Sequence, residues 1–591
     1  MTTRIKRLEL TWIGKETRPR LEPRILMNES ALGHAPSRHR GRRSDHWLIE
    51  GDNLLALKAI EQEFAGKIKC IYIDPPYNTG SAFFNFDDGL EHSLWLSLMR
   101  DRLEMLWKLL TPQNGTLLIS INDDECHYLK VLCDEVFGRS SFYCSFVWNY
   151  EGNTDNQAKI IRYHEYVLAY SKSGDIDDPK VIDPNVGDDS KLFRDEIRNT
   201  VVKNGPKNPP VSVLVPAGFP ASFQSGIIHR NEVQWPQYSE DIIVENGKVS
   251  RPVSATTGWS SRNLLEAYIA SGFRPVLDTK GQQASFEITR TGAIEVAKRR
   301  ASGKGHVVSV LRGFGTTNQM RLMLQKLGLA FSYPKPVDLI AYLVEVFSGP
   351  EDIILDSFAG SGTTGHAVLK LNAEKGSQRR CILVELDANT ARNVIVPRLR
   401  AVIDGHPGAG LPGFGGGFRF FRLAPSLLEK DKWGNWVISK EYNPAMLAEA
   451  MCKLKGFRYA PHQEIFWIHG QSTETDYIYV TTQNLGPEQL KFISEQVGSE
   501  RSLLICCRAF RGGSEFKNLT IKKIPLAVLA KCEWGRDDYS LNVKELAPVL
   551  AVEEAKSPTR RAGYRATGRR GSQTGNQDLP LFDDPTEDNT P

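Results

Sequence analysis

Residues 356–371, DSFAGSGTTGHAVLKL, lead from the end of an apolar segment through a glycine-rich turn into a helical pattern. Gly360, Gly362 and Gly365 have the spacing G-x-G-x-x-G, and such glycines let the backbone approach a ligand closely. Glu385 closes the next apolar segment, CILVEL, where an acid can accept hydrogen bonds from a ribose. The stretch therefore predicts a strand–turn–helix unit of a Rossmann-like α/β sheet that binds an adenosine-containing cofactor.

Two details of this stretch favour S-adenosylmethionine as that cofactor. Asp356 stands at the expected strand end, where its carboxylate can meet the positive amino group of the cofactor. Thr363 and Thr364 add hydroxyls, whereas a phosphate-binding P-loop requires a Gly-Lys-Ser/Thr sequence that the chain lacks. The glycine spacing taken alone also fits a nicotinamide oxidoreductase or a plain connecting turn. The connecting turn is the weaker alternative because Asp356 and Glu385 both fall where a cofactor needs them.

A second apolar segment, KCIYIDPPY, ends in the tetrad Asp74, Pro75, Pro76 and Tyr77. Ligands of open α/β sheets bind beyond the carboxyl ends of the strands, and the tetrad falls at such an end. Prolines have no N–H group, so we expect both proline carbonyl oxygens to stay free and to form, with the Asp74 carboxylate, an acceptor-only pocket. This pocket matches an exocyclic amino group, which offers two N–H donors. A simple strand-to-loop turn is the alternative for the tetrad alone.

The same residues predict a reaction. Accepting the two amino hydrogens at Asp74 and at the Pro75 carbonyl favours a tetrahedral nitrogen whose lone pair attacks a sulfonium methyl in line. No metal is needed for this step. Tyr77 offers a flat face on which a base stacks after leaving a duplex.

Composition limits the class of protein. The 591 residues, 41% of them apolar, suffice for several domains, and a net charge of +4 neither favours nor excludes a nucleic-acid partner. The nine cysteines include no CxxC pair, which fits a reduced cytoplasmic protein better than a disulfide framework or a zinc site. Apolar stretches are too short for a membrane span. We therefore expect a cytoplasmic protein with no membrane partner.

Changes in composition and in the order of strand and helix patterns divide the chain into predicted segments. Strand and helix patterns alternate, are interrupted by clusters of Pro, Gly and Asn, and then return. The predicted segments are a basic N-terminal arm (1–46), a catalytic half (47–172), an insert (173–331), a cofactor-binding half (332–417), a C-terminal mixed α/β domain (418–550) and a disordered tail (551–591).

Taken in order, the motifs EGDNLLALKAI, CIYIDPPYNTGS, HEYVLAYSK, YPKPVDLI and DSFAGSGTTGHAV resemble those of the beta group of DNA amino-methyltransferases. Specifically, the chain resembles the modification subunit of type III restriction–modification systems over roughly residues 5 to 425. It implies a methyltransferase sheet with circularly permuted motif order, because the catalytic motif precedes the cofactor motif. By its position, the insert becomes a target-recognition domain.

The resemblance also assigns residues. It implies a catalytic pocket of Asp74, Pro75 and Tyr77, and a cofactor site whose members are Asp356, Phe358, Gly360, Gly362 and Thr363, with Glu385 on the ribose. Lys335 and Pro336 are expected beside the methionine end of the cofactor. Asp52 either approaches the adenine or caps the helix that follows it. Trp148 is left open between a core residue and a residue beside the flipped base, and His164 is expected to be structural.

The activity implied is methylation of adenine N6 in double-stranded DNA within a restriction or related defence system. Cytosine N4 is the alternative, although enzymes acting there more often have Ser in place of Asp74. Another alternative is a DNA-binding specificity subunit that guides a nuclease or translocase. The sequence has no Walker loop and no nuclease motif, so any cleavage is expected to come from a partner. A helicase–endonuclease restriction subunit and a second copy of the chain are candidate partners.

The tail carries two further hypotheses. Residues 556–571 contain six Lys and Arg and no acid, which is typical of a phosphate-binding arm or of a solvated linker. The segment QDLPLF, Gln577 to Phe582, resembles short peptides that dock on the bacterial sliding clamp, with a chance apolar cluster as the alternative.

Overall fold

The computed structural model describes residues 9–35, 46–78, 82–83, 86–87, 92–150, 159–160, 162–187, 196–279, 281–299, 305–512, 515–524, 528 and 531–540. All of them belong to one of the two units into which the chain divides, residues 1–541, while the other is residues 542–591. The predicted tail (551–591), with its basic stretch and the clamp-like segment Gln577 to Phe582, lies outside the described residues.

A ten-stranded sheet forms the centre of the molecule. In chain order its strands are β1 (Leu26–Asn28), β2 (His46–Glu50), β3 (Cys70–Ile73), β4 (Thr116–Ile121), β5 (Phe142–Asn149), β6 (His164–Ser171), β7 (Val310–Leu311), β8 (Ile353–Asp356), β9 (Arg380–Glu385) and β10 (Phe418–Leu423). Across the sheet the order is β1-β10-β2-β9-β8-β3-β4-β6-β5-β7. The strands from β10 to β4 pair in parallel, as the alternating pattern predicts, whereas β1 and β6 pair antiparallel with their neighbours.

The described helices are α1 (Asn53–Phe64), α2 (His92–Leu109), α3 (Asp123–Phe137), α4 (Arg262–Ala270), α5 (Thr317–Lys326), α6 (Val337–Phe347), α7 (Thr363–Lys375), α8 (Ala388–Thr390), α9 (Val396–Asp404), α10 (Pro444–Lys455) and α11 (Pro487–Val497). Helix α2 is amphipathic, because Leu96, Met99, Leu103 and Leu106 recur every three or four residues and are buried. None of the described helices has the length and apolar character needed to cross a membrane.

Two layers of helices cover the two faces of the sheet. Successive strand side chains point to opposite faces, so Ile71 and Ile73 join one apolar core with α1, α2 and α3. Cys70 and Tyr72 join the other core, with α6, α7 and α9. This arrangement is a Rossmann-like α/β fold, the predicted fold class, in which only the edges of the sheet remain available for a ligand.

The middle of the chain has a core of its own, built from residues between Val201 and Val296. Its strands are Glu196–Thr200, Val211–Val215, Gly226–Ile228, Gln237–Tyr238, Ile242–Glu245, Lys248–Val249, Val253–Thr257, Val276–Leu277, Gln283–Ile288 and Ile294–Arg299. Strand β7 follows this core and returns to the central sheet, where it pairs parallel to β5. The predicted insert (173–331) thus contains both a separate core and one edge strand of the central sheet, and its boundaries stay a prediction.

A further α/β region follows β10. Its five-stranded sheet consists of Arg458–Tyr459, Gly470–Gln471, Asp476–Val480, Ser502–Cys507 and Leu519–Lys523, and short pairs are formed by Leu428–Lys430 with Trp436–Ile438 and by Asn484–Leu485 with Ala509–Phe510. Helices α10 and α11 pack into its two apolar cores. At the other end of the chain, β1 of the predicted basic arm pairs with β10, and Ile25 is buried in one of these cores.

Asp52 joins three parts of the chain. Its Oδ1 accepts a hydrogen bond from the Leu55 N–H at 3.0 Å and so caps the start of α1. Its Oδ2 lies 3.2 Å from Arg102 Nη2 on α2 and accepts from the Tyr539 N–H at 3.0 Å. The side chains of Asp52 and Arg102 are both buried, so each neutralises the other in a place that water does not reach.

We predict that Asp52→Ala destabilises the protein strongly. The substitution removes the cap and leaves the Arg102 guanidinium buried without its carboxylate, a loss of about 3–5 kcal/mol in the free energy of unfolding. Glu61→Ala, which breaks a pair with Lys58 on the outer part of α1, is the matched control and should cost less than about 1 kcal/mol. Urea denaturation followed by circular dichroism measures both, and equal losses would contradict the assignment.

Candidate active site

A cavity of about 360 Å³ lies at the carboxyl edge of the central sheet. Strands β3 and β8 are neighbours there, with Ile354 beside Cys70 and Leu355 beside Ile71, so the residues that follow both strands emerge together. The cavity is lined by nine of the residues predicted from sequence, namely Asp74, Pro75, Pro76, Tyr77, Lys335, Asp356, Phe358, Gly360 and Thr363. The catalytic tetrad and the glycine turn therefore share one space.

Lys335 forms the centre of a charged cluster in this cavity. Its Nζ lies 2.9 Å from Asp74 Oδ1 and 3.3 Å from Glu165 Oε2, and it donates a hydrogen bond to the Tyr77 hydroxyl at 2.9 Å. The Tyr77 hydroxyl in turn donates to Glu165 Oε2 at 2.9 Å. Burial alone would lower the pKa of Lys335, but the charges of Asp74 and Glu165 outweigh burial and raise that pKa above its usual value. Lys335 is therefore a fixed positive charge.

The proline turn differs from the prediction at one atom. The carbonyl of Pro76 accepts a hydrogen bond from the Trp95 indole N–H at 2.8 Å, so the expectation that both proline carbonyls stay free is wrong for Pro76. Helix α2 brings Trp95 under the turn and buries its ring completely, which requires a partner for its N–H group. Among the described residues the Pro75 carbonyl has no such partner. Asp74 and Pro75 both line the cavity, and the acceptor pocket expected from them stays a prediction.

Asp356 is buried at the end of β8 and anchors the glycine turn. Its Oδ1 accepts from the Phe358 N–H at 3.0 Å, and its Oδ2 accepts from the Thr364 hydroxyl at 2.5 Å. Burial raises the pKa of Asp356 to about 7 in spite of these hydrogen bonds. A cation placed beside Asp356 would lower that pKa again, because an opposite charge favours the ionised carboxylate.

Glu385 supports the turn from the neighbouring strand. Its Oε2 accepts from the Gly360 N–H at 2.8 Å and its Oε1 accepts from the Asp387 N–H at 3.0 Å. Burial raises the pKa of Glu385 to about 7. Glu385 is not among the residues that line the cavity, and its expected contact with a ribose stays a prediction.

Three other predicted residues also lie outside the lining. Asp52 has the capping role described above, which was the alternative for it. Pro336 directly precedes α6. Gly362 precedes α7 with a left-handed backbone (φ +78°), and its lack of a side chain lets the turn pack against Ile395. These residues shape the elements around the cavity and do not face it.

Two charged residues in or near the cavity, Glu165 and Arg398, are not among the predicted site residues. Glu165 is the second residue of β6, and it reaches the cavity because β6 runs antiparallel to β4 and so begins at the edge where the parallel strands end. Arg398 of α9 is fully buried and donates to the Ser361 carbonyl at 2.9 Å and to the Thr363 hydroxyl at 3.1 Å. Glu165 lies within the motif HEYVLAYSK, but only the direction of β6 shows that it reaches the cavity, and no sequence signal indicates Arg398.

The two residues that the sequence left undecided are also placed. Trp148 belongs to the apolar core and also lines the cavity, while a position beside a flipped base stays a prediction. His164 contacts the Tyr166 hydroxyl at 3.1 Å and does not line the cavity.

A Rossmann-like sheet with a carboxylate-rich cavity beyond its central strands is typical of α/β enzymes that bind nucleoside-type ligands. The chain belongs to the DNA methylase family, whose model matches residues 68–395. This range includes the tetrad, the glycine turn and Glu385.

Individual relatives agree with the family and confirm the predicted resemblance. The type III restriction-modification enzyme EcoPI Mod subunit of Escherichia phage P1 is 28% identical, over 67% of this chain and 66% of that protein. The EcoP15I Mod subunit of Escherichia coli is 27% identical, over 64% of this chain and 65% of that protein. The chain thus spans slightly less than two thirds of these relatives. The solved PvuII DNA methyltransferase (cytosine-N4-specific) is 13% identical with a TM-score of 0.30, covering 60% of this chain and 89% of that one.

We predict that Gly362→Ala destabilises the protein more than Gly376→Ala does. Both glycines flank α7 with positive φ, so an alanine at either position carries the left-handed penalty of about 1–2 kcal/mol. At Gly362 the new Cβ would also lie 2.8 Å from Ile395 Cγ2, whereas at Gly376 it meets nothing within 4 Å. Gly362→Ala should therefore lose about 1–3 kcal/mol more stability in urea denaturation. Indistinguishable midpoints would contradict this packing role.

Proposed function

We propose that this chain is a DNA methyltransferase that transfers a methyl group from S-adenosylmethionine to adenine N6, and that it is the modification subunit of a restriction–modification system. The observation that carries the proposal is the single cavity shared by Asp74 and the turn after Asp356. Membership of the DNA methylase family and the similarity to two Mod subunits support it. The chain order of tetrad and glycine turn supports the permuted motif arrangement.

The residues of the cavity fit S-adenosylmethionine. Among the described residues that line it, the carboxylates Asp74, Glu165 and Asp356 outnumber the one cation, Lys335. A negative cavity suits a ligand with sulfonium and ammonium charges and repels the pyrophosphate of a nicotinamide dinucleotide. S-adenosylmethionine, when bound, supplies an electrophilic methyl group. Asp356, Phe358, Gly360 and Thr363 are the residues that would hold it.

The acceptor pocket explains how a weakly nucleophilic amino group reacts. Asp74 and the Pro75 carbonyl accept its two N–H groups, which draws the nitrogen lone pair out of the ring system. Tyr77 stacks on the base once the base has left the duplex. The new C–N bond forms as the C–S bond breaks, and the surplus proton on nitrogen passes to water. The protein thus contributes by positioning the base and by placing negative charge beside its amino group.

Adenine N6 is the proposed target because the tetrad begins with Asp74, where cytosine-N4 enzymes more often have Ser. Double-stranded DNA is the proposed substrate, and the separate core between Val201 and Val296 is the proposed recognition module. The Mod relatives are subunits of type III restriction-modification enzymes, which supports a helicase–endonuclease partner for this chain. A second copy of the chain, the sliding clamp and a cytoplasmic location stay predictions.

We predict that Asp74→Ala lowers kcat for methyl transfer by about 100-fold or more while the chain still binds S-adenosylmethionine. The loss follows from removing the charged acceptor of the transition state. Transfer of labelled methyl groups to mixed-sequence DNA measures kcat, and calorimetry measures cofactor binding.

The matched control for this prediction is Asp338→Ala on α6, because Asp338 is an exposed acid paired with Lys370 and should not affect kcat. Wild-type activity in Asp74→Ala would refute the proposed role of Asp74. A wild-type chain that binds DNA specifically but transfers no methyl group would indicate a specificity subunit.

A further inference from the structure

The catalytic carboxylate does not stand alone in the cavity. The Lys335 ammonium lies 2.9 Å from Asp74 Oδ1, and both groups are shielded, with 9% of the Lys335 side chain and 25% of the Asp74 side chain exposed. An ion pair at this distance in a partly dry site cancels most of the field of the carboxylate. An Asp74 paired only with Lys335 would therefore attract a positive group weakly.

The proposed reaction needs that field. Positive charge develops on the amino nitrogen as it takes the methyl group, and a preorganised negative charge beside it lowers the barrier. A cation of the protein held next to the same carboxylate has the opposite effect. The ion pair between Lys335 and Asp74 thus raises the question of what balances the ammonium.

Glu165 provides the second carboxylate. Its side chain is 16% exposed, its Oε2 lies 3.3 Å from Lys335 Nζ, and the same oxygen accepts the hydrogen bond of the Tyr77 hydroxyl. Glu165 and Asp74 thus face the ammonium together, so the three charged groups have one net negative charge. No role for Glu165 follows from the sequence motifs.

We propose that Glu165 is a positioning residue that neutralises Lys335 and so leaves Asp74 with an effective negative charge toward the target amino group. This inference rests on the proposed function, because it assigns Glu165 a task in the methyl transfer at Asp74. Glu165 acts through Lys335 and does not need to touch the base.

A structural role for Glu165, limited to holding the Tyr77 hydroxyl, is the alternative. Two substitutions separate these roles. Glu165→Gln keeps an amide oxygen that accepts from Tyr77 but removes the charge. Lys335→Met removes the opposing charge at similar length, so the double variant regains the net charge of the wild-type cluster.

The experiment measures kcat for methylation of mixed-sequence DNA by the full-length chain at saturating S-adenosylmethionine. We expect Glu165→Gln to lower kcat about 10- to 100-fold, and addition of Lys335→Met to raise it again by about tenfold or more, a reversal that charge balance requires. Using kcat at saturation removes any loss of cofactor affinity caused by Lys335→Met. Thermal unfolding verifies that each variant is folded.

A folded double variant that is no more active than Glu165→Gln would overturn the inference, and so would full activity in Glu165→Gln itself. These outcomes are distinct from failure of the proposed function. If the proposed function itself were wrong, the wild-type chain would transfer no methyl group to DNA, or Asp74→Ala would retain its activity.

Discussion

The parallel pairing of β3 with β8 is the constraint on which the candidate site depends. These strands come from two halves of the chain separated by the middle region, yet Ile354 lies beside Cys70 and Leu355 beside Ile71. Because the strands are parallel, Asp74 and Asp356 leave the sheet at the same edge. A register shift of one residue would also exchange the faces of Cys70 and Ile71, which pack in different cores. The helices on both faces therefore fix the register, and the register fixes the cavity.

The second feature of the site is its surplus of buried carboxylates. Asp356 and Glu385 are both buried, and because burial disfavours the charged form it raises the pKa of each to about 7. The backbone N–H groups of Phe358 and Gly360 offset part of that cost. A positively charged ligand beside these carboxylates would offset more of that cost. The charge of Lys335, in contrast, is stabilised within the protein, because the carboxylates of Asp74 and Glu165 both lie next to its ammonium.

The parts of the site that the sequence predicts are local ones. A strand end followed by Asp-Pro-Pro-Tyr, and a strand end followed by glycines, each place their residues through the backbone of a few neighbours. Contacts between distant elements could not be predicted in this way. The Trp95 N–H group donates to the Pro76 carbonyl because α2 packs under the turn. Glu165 reaches the cavity because β6 runs antiparallel to β4. The sequence shows that Asp52 precedes a helix, but it does not show that its partners are Arg102 and Tyr539, which come from other parts of the chain.

The most direct test of a shared catalytic cavity is the chemical identity of the base that this chain modifies. Nucleosides from the DNA of cells expressing the chain, or its Asp74→Ala variant, are separated and identified by mass spectrometry against DNA from cells without it. If Asp74 and the Pro75 carbonyl accept an adenine amino group, N6-methyladenine should appear with the wild-type chain and be absent with the variant. Accumulation of N4-methylcytosine alone, or of N6-methyladenine with both chains, would contradict that arrangement.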